Sequence, residues 1–143
     1  MASDSYLTGF VQLSMEAAFP PAPVPVEPFG GRVVVQTMRL SGKTAGGIQL
    51  VSDTRDTVKW NLQVAKLVAV GPLAFKNRET AQPWPEGVWA KVGDFVRIPR
   101  WDGDRVEVKV KDSDEPIIFI TMNDSQLLGR VLGDPREQLI YEL

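Results

Sequence analysis

The chain contains no cysteine and no histidine. These two absences exclude disulfides, thiolate nucleophiles and Ser-His or Cys-His couples, and nearly all zinc, copper and haem sites, each of which needs a missing residue. Only carboxylates, lysine, tyrosine, serine and threonine remain to do chemistry. A chain without cysteine is compatible with any compartment. Positive charge is also missing at the start. The first basic residue is Arg32, so residues 1–31 lack both the basic n-region of a secretory signal and the arginine-bearing helix of a mitochondrial presequence. No apolar run approaches the ~20 residues of a membrane span. We expect a soluble cytoplasmic protein.

What is present is ordinary. The 143 residues, 43% hydrophobic and 24% charged, suit one globular domain. A formal net charge of -2 and a pI near 5.2 leave no cationic footprint for nucleic acid. Five prolines, at positions 20, 21, 23, 25 and 28, read as an extended spacer that sets off an arm over residues 1–26 and decouples it from the rest. That arm is either a frayed terminus or a partner-binding segment using Tyr6, Leu7, Phe10, Val11 and Leu13.

The remainder is patterned as strands. Residues 32–40 (RVVVQTMRL) and 62–70 (LQVAKLVAV) are rich in β-branched side chains and bounded by glycine or proline. Residues 94–99 follow, 105–111 (RVEVKVK) alternate as a half-buried strand does, and 116–122 (PIIFITM) form a continuous apolar run. Leu127, Leu128, Val131 and Leu132 read as a last short strand. No helical period appears before the tail over 133–143, so the expected fold is all-β, a small irregular barrel over 27–132. Two long connections, 41–61 and 72–90, interrupt it. Connections of that length in compact domains are usually functional or disordered.

Several motifs fail on their spacing. Gly42, Lys43 and Thr44 resemble the end of a phosphate loop, but Thr37 stands where that loop needs glycine and no helix pattern follows. Asp102 and Asp104 open like a calcium loop, yet Val106 takes the third ligand position and Ser113 the twelfth. Asp112, Asp114 and Glu115 cluster without the apolar pocket that would tune one of them as an acid. Arg97, Arg100, Arg105, Lys109 and Lys111 are interleaved with Asp102, Asp104 and Glu107, which makes a charge-balanced face and only a third-rank nucleic-acid-binding barrel. We assign no catalytic residue, metal ligand or cofactor, and expect no enzyme.

The informative stretch is 41–56, where glycines and small polar residues surround Ile48, Leu50 and Val51. An exposed connection has no internal reason to carry these aliphatics. Ile48 and Leu50 project to the same side of an extended chain. They either fold back onto the barrel or reach a hydrophobic groove on a partner.

Five segments then carry a resemblance: PFGGRVVV (28–35), KTAGGIQL (43–50), VAVG (68–71), KVGD (91–94) and DSQLLG (124–129). In this order they resemble the opening strand, mobile loop, pre-roof strand, post-roof strand start and closing turn of the GroES-like co-chaperonins, the 10 kDa chaperonin family. The resemblance implies a homoheptameric dome of irregular β-barrels that caps an ATP-loaded GroEL-type chaperonin and encloses unfolded client proteins. It also implies that strand 32–38 pairs with strand 130–132 of a neighbouring subunit. Chaperonin contact falls on Ile48, Gln49 and Leu50, next to Gly46 and Gly47. The middle of that tripeptide is usually aliphatic in the family and here is Gln49. The extra arm and tail, with a divergent core, look like a virus-encoded co-chaperonin serving a host chaperonin in the host cytoplasm. In the roof connection, Phe75, Trp84 and Trp89 either pack on the barrel or meet neighbours and clients. A ring-forming structural or adaptor protein is the competing reading.

The energetics suit the resemblance. Burying Ile48 and Leu50 yields ~3 to 6 kcal/mol, against ~2 to 5 kcal/mol to order the segment. A net of ~1 kcal/mol is weaker than millimolar binding, so one arm cannot hold a cap, whereas several arms on a ring act at high effective concentration.

Overall fold

The computed structural model describes residues 14–39, 63–99, 103–111 and 116–137. The β-branched runs form the strands their composition predicts: β1 (Arg32–Thr37), β2 (Val64–Val70), β3 (Phe95–Arg97), β4 (Asp104–Val108) and β5 (Ile117–Asn123), with a two-residue β6 (Gly129–Arg130). They join in one sheet of order β4-β5-β1-β2-β3-β6, every pair antiparallel. Val35 faces Leu67 across one edge of β1 and Ile120 across the other, and the register slips at Val34/Val35, a bulge that increases the local twist.

Both faces of strand β1 are covered, since Val33, Val34, Val35, Gln36 and Thr37 are all buried. On the inner face, Val33 and Val35 join Leu67, Val96, Ile98, Ile118, Ile120 and Met122 in the main core. On the outer face, Val34, Ile117 and Phe119 form a second cluster, against which Ala22, Val24 and Val26 pack. The continuous apolar run in β5 thus feeds two cores. A third cluster holds Ala18, Phe19, Met38, Val64 and Val131.

Two findings depart from the sequence reading. The proline-marked boundary is one of composition and not of packing, since residues 14–26 lie against the sheet. A single helical turn, α1 (Met15–Ala18), is capped by Ser14 Oγ, which accepts from Ala17 N at 3.1 Å. Ala18 and Phe19 behind it are 1% and 5% exposed. From Pro21 to Val26 exposed prolines alternate with half-buried Ala22, Val24 and Val26, so an extended chain hides one side. Removal of residues 1–26 should therefore cost several kcal/mol, since Phe19 alone contributes ~1.5 to 3 kcal/mol. A thermal melt of the truncated protein should fall by roughly 10 °C, and an unchanged melt would show this packing to be idle.

The second departure concerns assembly. Strand β1 has backbone rungs on both sides, to β2 and to β5, so pairing between subunits cannot run through it. The outermost strands among the described residues are β4 and β6.

Candidate functional site

The chaperonin-contact residues expected from sequence, Gly46, Gly47, Ile48, Gln49 and Leu50, lie outside the described residues, as do Trp101, Asp102 and the 112–115 acidic cluster. The structure does describe both points from which the 41–61 connection springs. Its upstream root follows β1, where Met38 N donates to Val64 O at 3.4 Å and Arg39 N to Ala18 O at 2.8 Å. Its downstream root precedes β2, where Ile98 N donates to Gln63 O at 2.8 Å and Gln63 Nε2 returns a bond to Ile98 O. Both ends leave adjacent, hydrogen-bonded antiparallel strands in the middle of the sheet.

The 72–90 connection is fastened at the opposite end of β2, where three of the five resemblance motifs meet. Asp124, 3% exposed, accepts Phe75 N at 2.6 Å and Arg78 Nη2 at 2.7 Å. The same guanidinium reaches Gly31 O and Leu73 O. It lies over Gly31 so closely that a Cβ there would sit 1.7 Å from Arg78 Nη2. Gly71 is pinned between Gly30 and Arg32: its N–H bonds Arg32 O at 2.8 Å, while Leu73 N bonds Gly30 O. In KVGD, Gly93 adopts φ 102°, which favours glycine, and Asp94 Oδ2 accepts Lys91 N and pairs with Arg130 Nε at 3.3 Å.

Of the aromatics on this connection, Phe75 is buried and meets Trp89 edge-on at 5.4 Å, so both pack on the core, with Trp84 half-buried. Phe75 holds φ 63°, a left-handed conformation unusual for a bulky residue, kept in place by the Asp124 bond to its N–H. Asp124→Ala leaves that buried donor unsatisfied, at about 1 to 3 kcal/mol. The half-exposed ion pair to Arg78 adds little. We expect a lower denaturation midpoint and a weakened near-ultraviolet signal from the Phe75 and Trp89 pair, with Asp124→Asn intermediate. No sequence pattern linked positions 78 and 124.

Beside β6 lies a shallow groove of about 560 Å³ lined by Val88, Trp89, Ala90, Val96, Leu127 and Leu128. Leu128 and Leu132 flank β6 and are 64% and 81% exposed, so this rim of the sheet is apolar and open. Charge at the periphery is local: Arg136, hydrogen-bonded to Asp134, holds the Asp134 carboxyl below its ordinary range, and burial lowers Arg105. Among the described residues no three carboxylates gather to hold a metal ion, and no helix is long and apolar enough to cross a membrane.

A six-stranded antiparallel sheet, with one long connection springing from its central strands and a second clamped across their far end, is a small all-β fold of the GroES-like kind. The sequence profile of the family described as Chaperonin 10 Kd subunit matches residues 25–131. The mitochondrial 10 kDa heat shock protein of Saccharomyces cerevisiae is 32% identical over 109 residues, 76% of this chain and 91% of that protein. A co-chaperonin GroES of Caulobacter sp. is 35% identical over 104 residues, covering 73% and 94%. Co-chaperonin GroES 2 of Bradyrhizobium diazoefficiens is 36% identical over 107 residues, covering 75% and 88%. The chain belongs to the Chaperonin 10 Kd subunit family.

Proposed function

We propose that this protein is a co-chaperonin that caps a GroEL-type chaperonin in its ATP-loaded state and assists protein folding inside the closed chamber. The observation that carries this reading is a chain matched over residues 25–131 to the Chaperonin 10 Kd subunit family, with its 41–61 connection springing from two paired central strands. Ile48 and Leu50 supply the apolar contact, with Gln49 between them in the contacting tripeptide and Gly46 and Gly47 next to it. A homoheptamer supplies the repeated weak arms that a cap needs, assembled through the outer strands and the apolar rim around Leu128 and Leu132 rather than through β1. The role asks for no catalytic group and no cofactor. The extensions on either side of residues 25–131 favour a virus-encoded copy acting on a host chaperonin in the host cytoplasm.

A refolding assay tests the proposal. A denatured client that needs an enclosed chamber should regain activity only when a GroEL-type chaperonin, ATP and this protein are all present. A yield unchanged by its addition counts against the proposal and returns the adaptor reading. A steeply salt-dependent affinity for oligonucleotides would instead favour the nucleic-acid-binding barrel.

A further inference from the structure

The segment around α1 and Phe19 lies ahead of the family match, which begins at residue 25. It is nevertheless built into one particular place. Ala18 and Phe19 are buried with Met38, the residue through which β1 runs out toward the 41–61 connection, and with Val64, the first residue of β2 on its return. The Phe19 ring stacks obliquely on Phe95 of β3, centroids 4.9 Å apart. The backbone is tied down as well. Ala18 O accepts Arg39 N at 2.8 Å, and Gln36 Nε2 donates to Pro20 O at 2.8 Å. The bond from Met38 N to Val64 O extends the rungs from this end of β1 to β2, and the next N–H, that of Arg39, finds its acceptor in this segment.

We infer that residues 14–20 are a clamp on the root of the 41–61 connection, and that Phe19 is a positioning residue for chaperonin capture. The inference rests on the reading of that connection as the contact. A connection whose roots are fixed explores fewer directions, so less freedom is lost when its tip docks. The clamp spans both roots, because Ala18 and Phe19 are buried in one cluster with Met38 upstream and Val64 downstream. Val131, the residue after β6, belongs to the same cluster, so the clamp shares its core with the open rim of the sheet. Removing it should loosen the roots and weaken each arm, and the loss multiplies over the arms that bind together.

The test is Phe19→Ala in the full chain, read first by amide hydrogen exchange without chaperonin. Exchange at Met38 and Arg39 should quicken at least tenfold, while the amides of Val33, Val35, Ile118 and Ile120 stay protected. Affinity for an ATP-loaded GroEL-type chaperonin should fall at least fivefold, and Phe19→Leu should restore both. Unchanged exchange at Arg39, a uniform rise through the whole sheet, or faster root exchange with normal chaperonin affinity would each overturn the inference. If Phe19→Ala does not fold, Gln36→Met, which removes only the tie to Pro20 O, should give the same pattern in smaller measure, and its absence overturns the inference equally. Ile48→Asp run in parallel separates the two readings. Normal binding by that variant overturns the loop reading and the affinity half of this inference, while the exchange data still decide the clamp.

Discussion

Ile48→Asp and Leu50→Asp, each made in the full chain, should abolish inhibition of the chaperonin ATPase. Each change removes ~1.5 to 3 kcal/mol of burial per arm and adds the cost of desolvating a carboxylate. An arm that binds with a margin of about 1 kcal/mol, the difference between burial and ordering, then becomes repulsive. In the proposed ring every subunit would carry the same change, so capping should fail cooperatively. The described strands pair through residues 32–37, 64–70 and 117–123, and on this reading melting temperature and oligomer mass should stay near wild type. Gln49→Val probes the family's middle position. If residue 49 faces the groove, inhibition tightens and release slows, and if it faces solvent neither changes. Full inhibition by both Asp variants would remove this loop from the account.

Gly71→Ala should be among the most damaging single-methyl changes in the barrel. A Cβ at position 71 would stand 2.3 Å from Gly30 O and 2.9 Å from Arg32 O, and both obstacles are backbone atoms. Neither can swing aside, because Arg32 O accepts Gly71 N and Gly30 O accepts Leu73 N in the same turn. Relief would require parting the start of β1 from the end of β2, at about 3 kcal/mol or more. The melt should drop by roughly 10 °C, and Gly71→Val should not accumulate as folded protein. Gly129→Ala is the control, since nothing lies within 4 Å of its would-be Cβ. A melt for Gly71→Ala as high as that of Gly129→Ala would mean that the turn is looser than described.

The contrast between what the sequence disclosed and what it concealed has a physical basis. Strands β1, β2, β4 and β5 were legible because β-branched runs and period-two alternation are local properties of a chain lying on a sheet. Their ends fell within a few residues of expectation. The turn residues of VAVG and KVGD were legible as a resemblance, and Gly71 and Gly93 supply the mechanical reason for them. Residues 14–26 read as a detached spacer because four prolines dominate their composition. The alternation of Ala22, Val24 and Val26 between prolines was the available signal that one side of the segment is covered. The bonds from Arg78 and Phe75 to Asp124 bridge more than forty positions, and no local pattern encodes them. The central place of β1 was hidden for the same reason, since strand order belongs to the whole sheet.

The most direct test of the central claim is co-sedimentation of the wild-type protein with a GroEL-type chaperonin, with and without ATP. The account predicts that the protein travels with the chaperonin only when ATP is present, in a ratio of one ring of this chain per capped chaperonin ring. Failure to co-sediment in ATP, or binding that ignores the nucleotide, would contradict it.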